Sequence, residues 1–146
     1  MIILIRQAYY LTKQEGEKRT MLNSQSNIVL RTNIYGRGGL VEWAVSNLKD
    51  KKQINGYANV IFNAIHVDQL SNTIKKVLQA DFPGGVQNIA GNYIMSKYDF
   101  ICLVANYLNL DNNLIAESMS PIPQDLVIES QYGLSLNEGL ELLKKD

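Results

Sequence analysis

The chain has 146 residues, with 14 basic and 14 acidic side chains, one histidine and one cysteine. This length supports one domain with an ordinary apolar core, and an apolar content of 46% excludes a disordered chain. A formal net charge of zero argues against nucleic-acid or anionic-membrane surfaces, and one cysteine with one histidine argues against a disulfide or a zinc site. Since no apolar run is long enough for a signal peptide or a membrane span, we expect a soluble cytoplasmic protein.

The first part of the chain is predicted to alternate helix and strand. Residues 9–22 are rich in Lys, Glu and Gln, which predicts an exposed helix. The β-branched run at residues 28–30 predicts a strand, and residues 32–39, with three glycines, predict a loop at its C-terminal end. Apolar side chains at helical spacing predict a helix at residues 40–49. Its predicted inner face consists of Val41, Ala44, Val45 and Leu48.

The middle of the chain continues this alternation. Residues 60–62 and 64–67 predict short strands, and Asp68 is predicted to cap the helix that follows. The inner face predicted for this helix consists of Leu70, Ile74, Val77 and Leu78. Residues 83–85 predict a turn, and residues 86–90 predict a further strand.

Two capping-box patterns, Ser96 with Asp99 and Ser135 with Glu138, predict the starts of the last two helices. The predicted inner faces are Ile101, Val104, Ala105 and Leu108 in the first helix and Leu136, Leu140 and Leu143 in the second. Between these helices, residues 114–115 and 126–128 predict edge strands. About five helices alternating with short strands predict an α/β fold.

Tyr9 and Lys13 stand four residues apart on the first predicted helix. This spacing places the phenol and the ammonium on one helix face, one turn apart. A cation beside a phenol stabilises the phenolate and lowers the phenol's pKa from its usual ~10, which makes tyrosine a usable proton donor or acceptor near neutral pH. The spacing alone favours two solvated side chains, so the interpretation depends on the surrounding sequence.

Four segments, in this order, resemble the extended short-chain dehydrogenases/reductases, which form the NAD-dependent epimerase/dehydratase superfamily. Residues 9–17 are similar to the family's Tyr-x-x-x-Lys helix, and residues 29–36, Val-Leu-Arg-Thr-Asn-Ile-Tyr-Gly, to its Arg…Asn-x-Tyr-Gly strand and loop. Residues 62–71 resemble the family's Ile-His-Val-Asp segment, and residues 85–100 resemble a fourth block. The resemblance spans residues 9–144 and is strongest to dTDP-4-dehydrorhamnose reductase-like sugar-nucleotide reductases.

The resemblance implies NAD(P)-dependent reduction or epimerisation of a nucleoside-diphosphate sugar by hydride transfer. In this family the cofactor lies in an N-terminal Rossmann domain and the sugar in a smaller C-terminal lobe. The resemblance implies that Tyr9 is the catalytic acid/base, that Lys13 tunes Tyr9 and binds the nicotinamide ribose, and that Thr32 lies beside the cofactor. The substrate-binding residues that it implies are Asn33, Tyr35, Gly36, Arg37 and Asn63.

The sequence departs from the family pattern before Tyr9. No Gly-x-Gly-x-x-Gly or Gly-x-x-Gly-x-x-Gly motif follows a strand, and the nearest candidate, residues 36–39, falls in the substrate-loop segment. The eight residues before Tyr9 leave no room for the family's catalytic Ser or Thr. We therefore expect residues 1–8 to be a divergent start and residues 9–146 to be one α/β domain. This domain would be the C-terminal, substrate-binding part of a Rossmann-type reductase, without its dinucleotide-binding half.

Hydride transfer needs a bound nicotinamide, so we expect the chain alone to bind neither NAD nor NADP and to be inactive. Two alternatives stay open: a non-catalytic module that binds sugar nucleotides or regulates an enzyme, and a decayed fragment that is stable only as an oligomer. An exposed strand edge and apolar face would favour pairing between chains. The expected partners are a nucleoside-diphosphate sugar and either a second copy or a separate Rossmann half, with no nucleic acid or membrane.

Four other side chains have a structural interpretation. We interpret His66 as a hydrogen-bonded structural histidine, because it is a lone histidine between apolar neighbours. Cys102 lies in an apolar helix without a basic neighbour within one turn, which predicts an inert core thiol. Trp43 and Tyr98 could stack on a nucleotide base, although burial on a helix face explains them as well.

Overall fold

A computed structural model describes residues 2–24, 26–36, 38–79, 84–130 and 132–145, with the side chains from residue 8 onward. The helices of this described part are α1 (Ile2–Asn23), α2 (Gly39–Lys49), α3 (Val67–Gln79), α4 (Lys97–Tyr107) and α5 (Leu136–Leu143). The strands are β1 (Ile28–Arg31), β2 (Ile34–Tyr35), β3 (Ile54–Tyr57), β4 (Val60–Phe62), β5 (Ile65–His66), β6 (Gly85–Gly91), β7 (Met95–Ser96), β8 (Ile115–Ser118), β9 (Gln124–Leu126) and β10 (Tyr132–Leu134). None of the described helices is long and apolar enough to cross a membrane.

One sheet consists of three parallel strands in the order β1-β6-β10. Strand β6 lies in the middle and pairs with every residue of both neighbours. Because the three strands run in one direction, Thr32, Asn92 and Ser135 follow their C-terminal ends at a single edge of the sheet. That edge is where open α/β sheets bind ligands.

Three smaller sheets form the rest of the described strand structure. Strands β2 and β5 pair in parallel, as do β3 and β8, while β4 lies between the antiparallel β7 and the parallel β9. The predicted loop at residues 32–39 therefore contains a short strand, because Ile34 and Tyr35 pair with Ile65 and His66. The strand predicted at residues 126–128 lies earlier, at β9. Of the predicted turn at residues 83–85, Pro83 lies outside the described residues.

Helix α4 is the centre of the apolar core, because its two buried faces pack into different clusters. Phe100 and Val104 pack in the first cluster, and Ile101 and Ala105 in the second. The other buried members of the first cluster are Tyr35, Val41, Phe62, Ala64, Leu140 and Leu143. The other buried members of the second are Ala44, Leu48, Ile54 and Ile115. The inner faces predicted for α2, α4 and α5 are confirmed, with Phe100 as an additional member of the core.

Helix α1 begins at Ile2, earlier than the predicted residue 9, because the first residues contain no glycine or proline that would end it. It lies against β1 and is held there by side-chain contacts from Arg31, in β1, and from Asn27, just before β1. Arg31 donates from Nε and Nη2 to the Glu17 carboxylate, at 3.0 and 2.6 Å. Asn27 Nδ2 donates to the Thr20 carbonyl at 2.7 Å.

The predicted starts of α4 and α5 are confirmed, with Ser96 and Ser135 as their N-caps. The Asp99 amide donates to Ser96 Oγ at 3.0 Å, and Ser96 Oγ in turn donates to the Asp99 carboxylate at 2.6 Å. At the start of α5, the Glu138 amide donates to Ser135 Oγ at 3.4 Å. Each hydroxyl therefore satisfies an amide that has no partner inside its helix.

The prediction that Asp68 caps α3 is wrong, because His66 and Gln69 form that cap. The Asp68 amide donates to His66 Nδ1 at 3.2 Å, and the His66 amide donates to Gln69 Oε1 at 3.0 Å. On this helix Gln69 and Val77 are buried, while Leu78 is 75% exposed. The prediction that Leu78 faces inward is therefore also wrong.

Tyr35 packs in the core against Gly139 of α5. Its ring makes edge contacts with Phe100 and His66, at centroid separations of 4.9 and 5.5 Å. Its hydroxyl is buried and forms no hydrogen bond within the described structure, and burial raises the pKa of the phenol well above its usual value. A Cβ added at Gly139 would overlap this hydroxyl and stand 2.9 Å from Gln69 Oε1.

Gly139→Ala is expected to lower the free energy of unfolding by about 1–3 kcal/mol, because overpacking outweighs alanine's higher helix propensity. Tyr35→Phe removes the overlapping oxygen and should restore part of that loss. Denaturant unfolding of both single variants and the double variant checks this. If Gly139→Ala lowers the free energy of unfolding by the same amount with and without Tyr35→Phe, the contact between the two residues is contradicted.

The Glu17–Arg31 pair is expected to make stability depend on pH in the acid range. The hydrogen bond from Arg31 holds the pKa of the Glu17 carboxyl below its usual value. The stabilisation, about 1 kcal/mol or less for a surface pair, is therefore complete above the unfolded-state pKa of ~4.3 and is lost as pH falls through the lowered pKa. The free energies of unfolding of the wild type and of Glu17→Gln should differ at pH 6–7 and become equal towards pH 3. A difference that is constant over this range would show that the carboxylate charge contributes nothing.

Candidate functional site

Tyr9 and Lys13 share one face of α1, as their spacing predicts. Lys13 Nζ lies 5.4 Å from the centroid of the Tyr9 ring, so the ammonium stands over the ring face. The Tyr9 side chain is 59% exposed, and the neighbouring Tyr10 packs edge-on against it with a centroid separation of 5.9 Å. Both groups of the predicted proton-transfer pair are thus open to solvent.

Thr32 and Asn33 follow the C-terminal end of β1, at the sheet edge described above. Thr32 is half-buried, and its hydroxyl donates to the Asn33 carbonyl at 3.3 Å. Asn33 Nδ2 donates to the Leu126 carbonyl at 2.6 Å, while the Asn33 carbonyl accepts from the Ile65 amide at 2.9 Å. Asn33 therefore connects the end of β1 to β5 and β9.

In the predicted substrate loop, Tyr35 and Gly36 are buried and pack against other parts of the protein. Tyr35 lies in the core, and its burial favours a packing role over the predicted substrate contact. Gly36 has a φ of +144°, and a Cβ there would stand 2.9 Å from Val67 Cγ1 and 3.4 Å from His66 Nε2. Only glycine therefore fits this position without strain. Arg37, also predicted to bind substrate, lies outside the described residues.

Asn63 is buried, and its side-chain amide forms hydrogen bonds with main-chain groups. Asn63 Oδ1 accepts from the Ile128 amide at 2.9 Å, and Nδ2 donates to the carbonyls of Ile128 at 2.9 Å and of Gly91 at 3.5 Å. These contacts hold the segment after β9 against the end of β6. The geometry favours a structural role over the substrate contact implied by the sequence resemblance.

Two cavities flank α2. One, of about 400 Å³, is lined by Trp43 and Tyr57, which are 45% and 42% exposed, together with Leu40, Asn55 and Lys97. We call it the aromatic cleft. The other, of about 680 Å³, is lined by Gly36, the opposite face of α2 and the C-terminal ends of α4 and α5. We call it the α2–α4–α5 cavity.

Tyr57 is a member of the aromatic cleft that the sequence analysis does not single out. Residues along β3 alternate between buried and exposed, so Tyr57 points away from the core. This period-two alternation is the signal that the sequence offers. Tyr98, the second candidate for stacking beside Trp43, packs instead on Gly56, where an added Cβ would stand 2.8 Å from Tyr98 Cα.

His66 and Cys102 have the environments that a structural role requires. His66 is fully buried, and its Nδ1 accepts the hydrogen bond that caps α3. Burial raises the pKa of the Cys102 thiol, which favours the unreactive protonated form. Among the residues that the structure describes, no group of three or more His, Cys, Asp or Glu side chains could hold a metal ion.

Lys13 and Thr32 are the residues that the sequence resemblance assigns to the cofactor. Lys13 offers an exposed ammonium, and Thr32 follows the C-terminal end of β1. The Gly-x-Gly-x-x-Gly motif, whose turn holds a pyrophosphate at the N-terminus of a helix, does not occur in this sequence.

The described fold matches part of the fold of solved dTDP-4-dehydrorhamnose reductases and a dTDP-glucose 4,6-dehydratase, which confirms the fold class predicted from the sequence resemblance. The dTDP-4-dehydrorhamnose reductase of Bacillus anthracis, solved with NADP, matches with a TM-score of 0.82 at 19% identity over 94% of this chain and 54% of that chain. A dTDP-4-dehydrorhamnose reductase of Clostridium acetobutylicum matches with a TM-score of 0.79 at 19% identity over 94% of this chain and 56% of that chain.

The dTDP-glucose 4,6-dehydratase of Bacillus anthracis, solved with NAD, has a TM-score of 0.66 at 20% identity over 81% of this chain and 43% of that chain. The chain thus spans about half the length of these solved structures. No protein-family model matches the sequence, and the comparison with curated proteins finds no relative.

Asn63→Ala is expected to lower the free energy of unfolding by about 1–3 kcal/mol, because it removes the Asn63 partner of the half-buried amide and carbonyl of Ile128. The matched control is Asn88→Ala, which removes a single exposed hydrogen bond, at 2.8 Å, to the carbonyl of Glu129. Denaturant unfolding of both variants provides the measurement. A loss for Asn63→Ala no larger than for Asn88→Ala would contradict the structural role.

Proposed function

We propose that this chain is the substrate-binding and proton-transferring part of a nucleoside-diphosphate-sugar reductase. The observation that carries the proposal is the fold match to a dTDP-4-dehydrorhamnose reductase over 94% of this chain. In this proposal the rest of the NAD(P) site comes from a dinucleotide-binding half, and the chain alone is inactive. NAD(P) would supply the hydride when bound, whereas the residues described here would handle the proton and the sugar nucleotide.

Tyr9 is the proposed proton donor to the carbonyl oxygen of the sugar. Its exposure lets a substrate approach the hydroxyl, and the ammonium of Lys13 would stabilise the phenolate that remains after proton transfer. Thr32 and Asn33 lie at the sheet edge that binds ligands in open α/β folds. Arg37 follows Gly36 in the sequence and is proposed to pair with the diphosphate.

The aromatic cleft is the proposed site of the nucleotide base. Trp43 and Tyr57 expose large ring surfaces into one cavity, and a flat heterocyclic base stacks favourably on such rings. The cleft lies beside the first turns of α2, which begins three residues after Gly36. This order favours a base at one end of the proposed substrate site and a diphosphate near the loop.

A non-catalytic nucleotide-sugar-binding module is the second candidate. It is favoured by the position of the Lys13 ammonium, which stands over the ring of Tyr9 rather than beside its hydroxyl. Such a module would need the aromatic cleft and the Gly36–Arg37 loop without the Tyr9–Lys13 pair. Tyr9→Phe would then have no effect on activity in any complex that contains the chain.

Binding of a dTDP or UDP sugar is expected to quench the fluorescence of Trp43, the only tryptophan in the chain. Fluorescence titration with dTDP-glucose and with UDP-glucose detects this binding, and calorimetric titration measures the affinity. Tyr57→Leu should weaken binding by about 5- to 150-fold, since a stacked base contributes roughly 1–3 kcal/mol. The matched control is Tyr132→Leu, which changes a tyrosine on β10 outside the cleft.

Three outcomes would argue against parts of this proposal. If no sugar nucleotide binds, the decayed-fragment interpretation is favoured. Binding that Tyr57→Leu and Tyr132→Leu weaken equally would exclude the aromatic cleft as the site of the base. Micromolar binding of NADH or NADPH to this chain would contradict the expectation that it is inactive alone.

A further inference from the structure

The α2–α4–α5 cavity is the larger of the two cavities beside α2 and has no role in the proposed binding of the base. Its volume of about 680 Å³ lies within the range of small-molecule sites. Its floor is apolar and includes Val41, Val45 and Leu143. An apolar floor of this size favours a ligand with a hydrocarbon or aromatic body.

Two lysines line this cavity. Lys49 lies in the last turn of α2, and Lys144 follows the last turn of α5. Both line the cavity, and neither forms an ion pair with another described residue. The ammonium of Lys144 lies 4.3 Å from the centroid of the Tyr107 ring, a contact that positions it at the cavity wall.

The single acid among the described lining residues lies away from Lys49. Glu42 precedes Lys49 by seven residues on the same helix, which corresponds to about 10 Å along the helix axis. Glu42 and Lys49 therefore lie at opposite ends of α2. The described lining of the cavity thus combines two ammonium groups with apolar side chains.

The helix ends limit the charge that the ligand can carry. The cavity is lined by the C-terminal ends of α4 and α5 and by the last turn of α2, and helix C-termini carry a partial negative charge. A doubly charged phosphate would be repelled more strongly than a singly charged carboxylate.

We propose that the α2–α4–α5 cavity binds an organic carboxylate with an apolar body, with the carboxylate at Lys49 and Lys144 and the body on Val41 and Val45. This site is separate from the aromatic cleft and independent of the proposed reductase role. Lysines at helix C-termini also stabilise their own helices, so the test must separate ligand binding from helix stability.

Calorimetric titration with decanoate, decanol and decyl phosphate tests the proposal directly. Decanoate is expected to bind saturably at submillimolar concentration and more tightly than either of the other two compounds. The double variant Lys49→Gln/Lys144→Gln should weaken decanoate binding by about 5-fold or more and leave decanol binding unchanged, because only the charged contact is lost. Val45→Asp should weaken the binding of both decanoate and decanol, since it places a charge in the apolar floor.

The matched control is Lys75→Gln/Lys76→Gln, which makes the same change in net charge on the exposed face of α3. It should bind decanoate as the wild type does. Thermal unfolding of the variants without ligand measures the helix-stability effect separately. The proposal is overturned if decanoate does not bind the wild type at millimolar concentration, if both double variants weaken binding equally, or if decyl phosphate binds as tightly as decanoate.

Discussion

The arrangement of the helices depends on one buried side-chain amide, that of Gln69. Its Oε1 accepts from the His66 amide at the start of α3, and its Nε2 donates to the Ser135 carbonyl at 2.8 Å, at the start of α5. One side chain thus joins the beginnings of two helices that are distant in sequence. Because buried polar groups are costly when unpaired, this connection fixes the position of α5 against β5 and of Gly139 against Tyr35.

Much of the fold follows from patterns that can be recognised in the sequence. The capping boxes at Ser96 and Ser135 and the apolar stripe of α2 are local signals, and each predicts the correct element. The cap of α3 is not predictable in this way, because its acceptor is a histidine ring and its second member, Gln69, is held by a residue far along the chain. Such a tertiary hydrogen bond has no local signature, so the sequence favours Asp68, the more usual capping residue.

For the candidate site, the sequence predicts the types of residue better than it predicts where their side chains lie. The spacing of Tyr9 and Lys13 predicts their shared helix face, because helical periodicity alone determines it. The sequence does not show which atoms of a side chain face inward, and so it assigns Tyr35 and Asn63 to substrate although their polar groups lie in the interior. Short polar residues next to a strand end serve packing as readily as binding, and only the three-dimensional structure distinguishes the two uses.

The thin attachment of α1 has a consequence for the dynamics of the chain. From residue 8 onward, its large apolar side chains Tyr9, Tyr10, Leu11 and Leu22 are exposed, and a helical segment without apolar packing is only marginally stable in water. We therefore expect local opening of this part of α1 to cost less free energy than opening of the core around α4, so its backbone amides should exchange with deuterium first. The proposed proton-transfer pair thus lies on the described helix that we expect to exchange first, while both cavities lie beside helices that pack in the core.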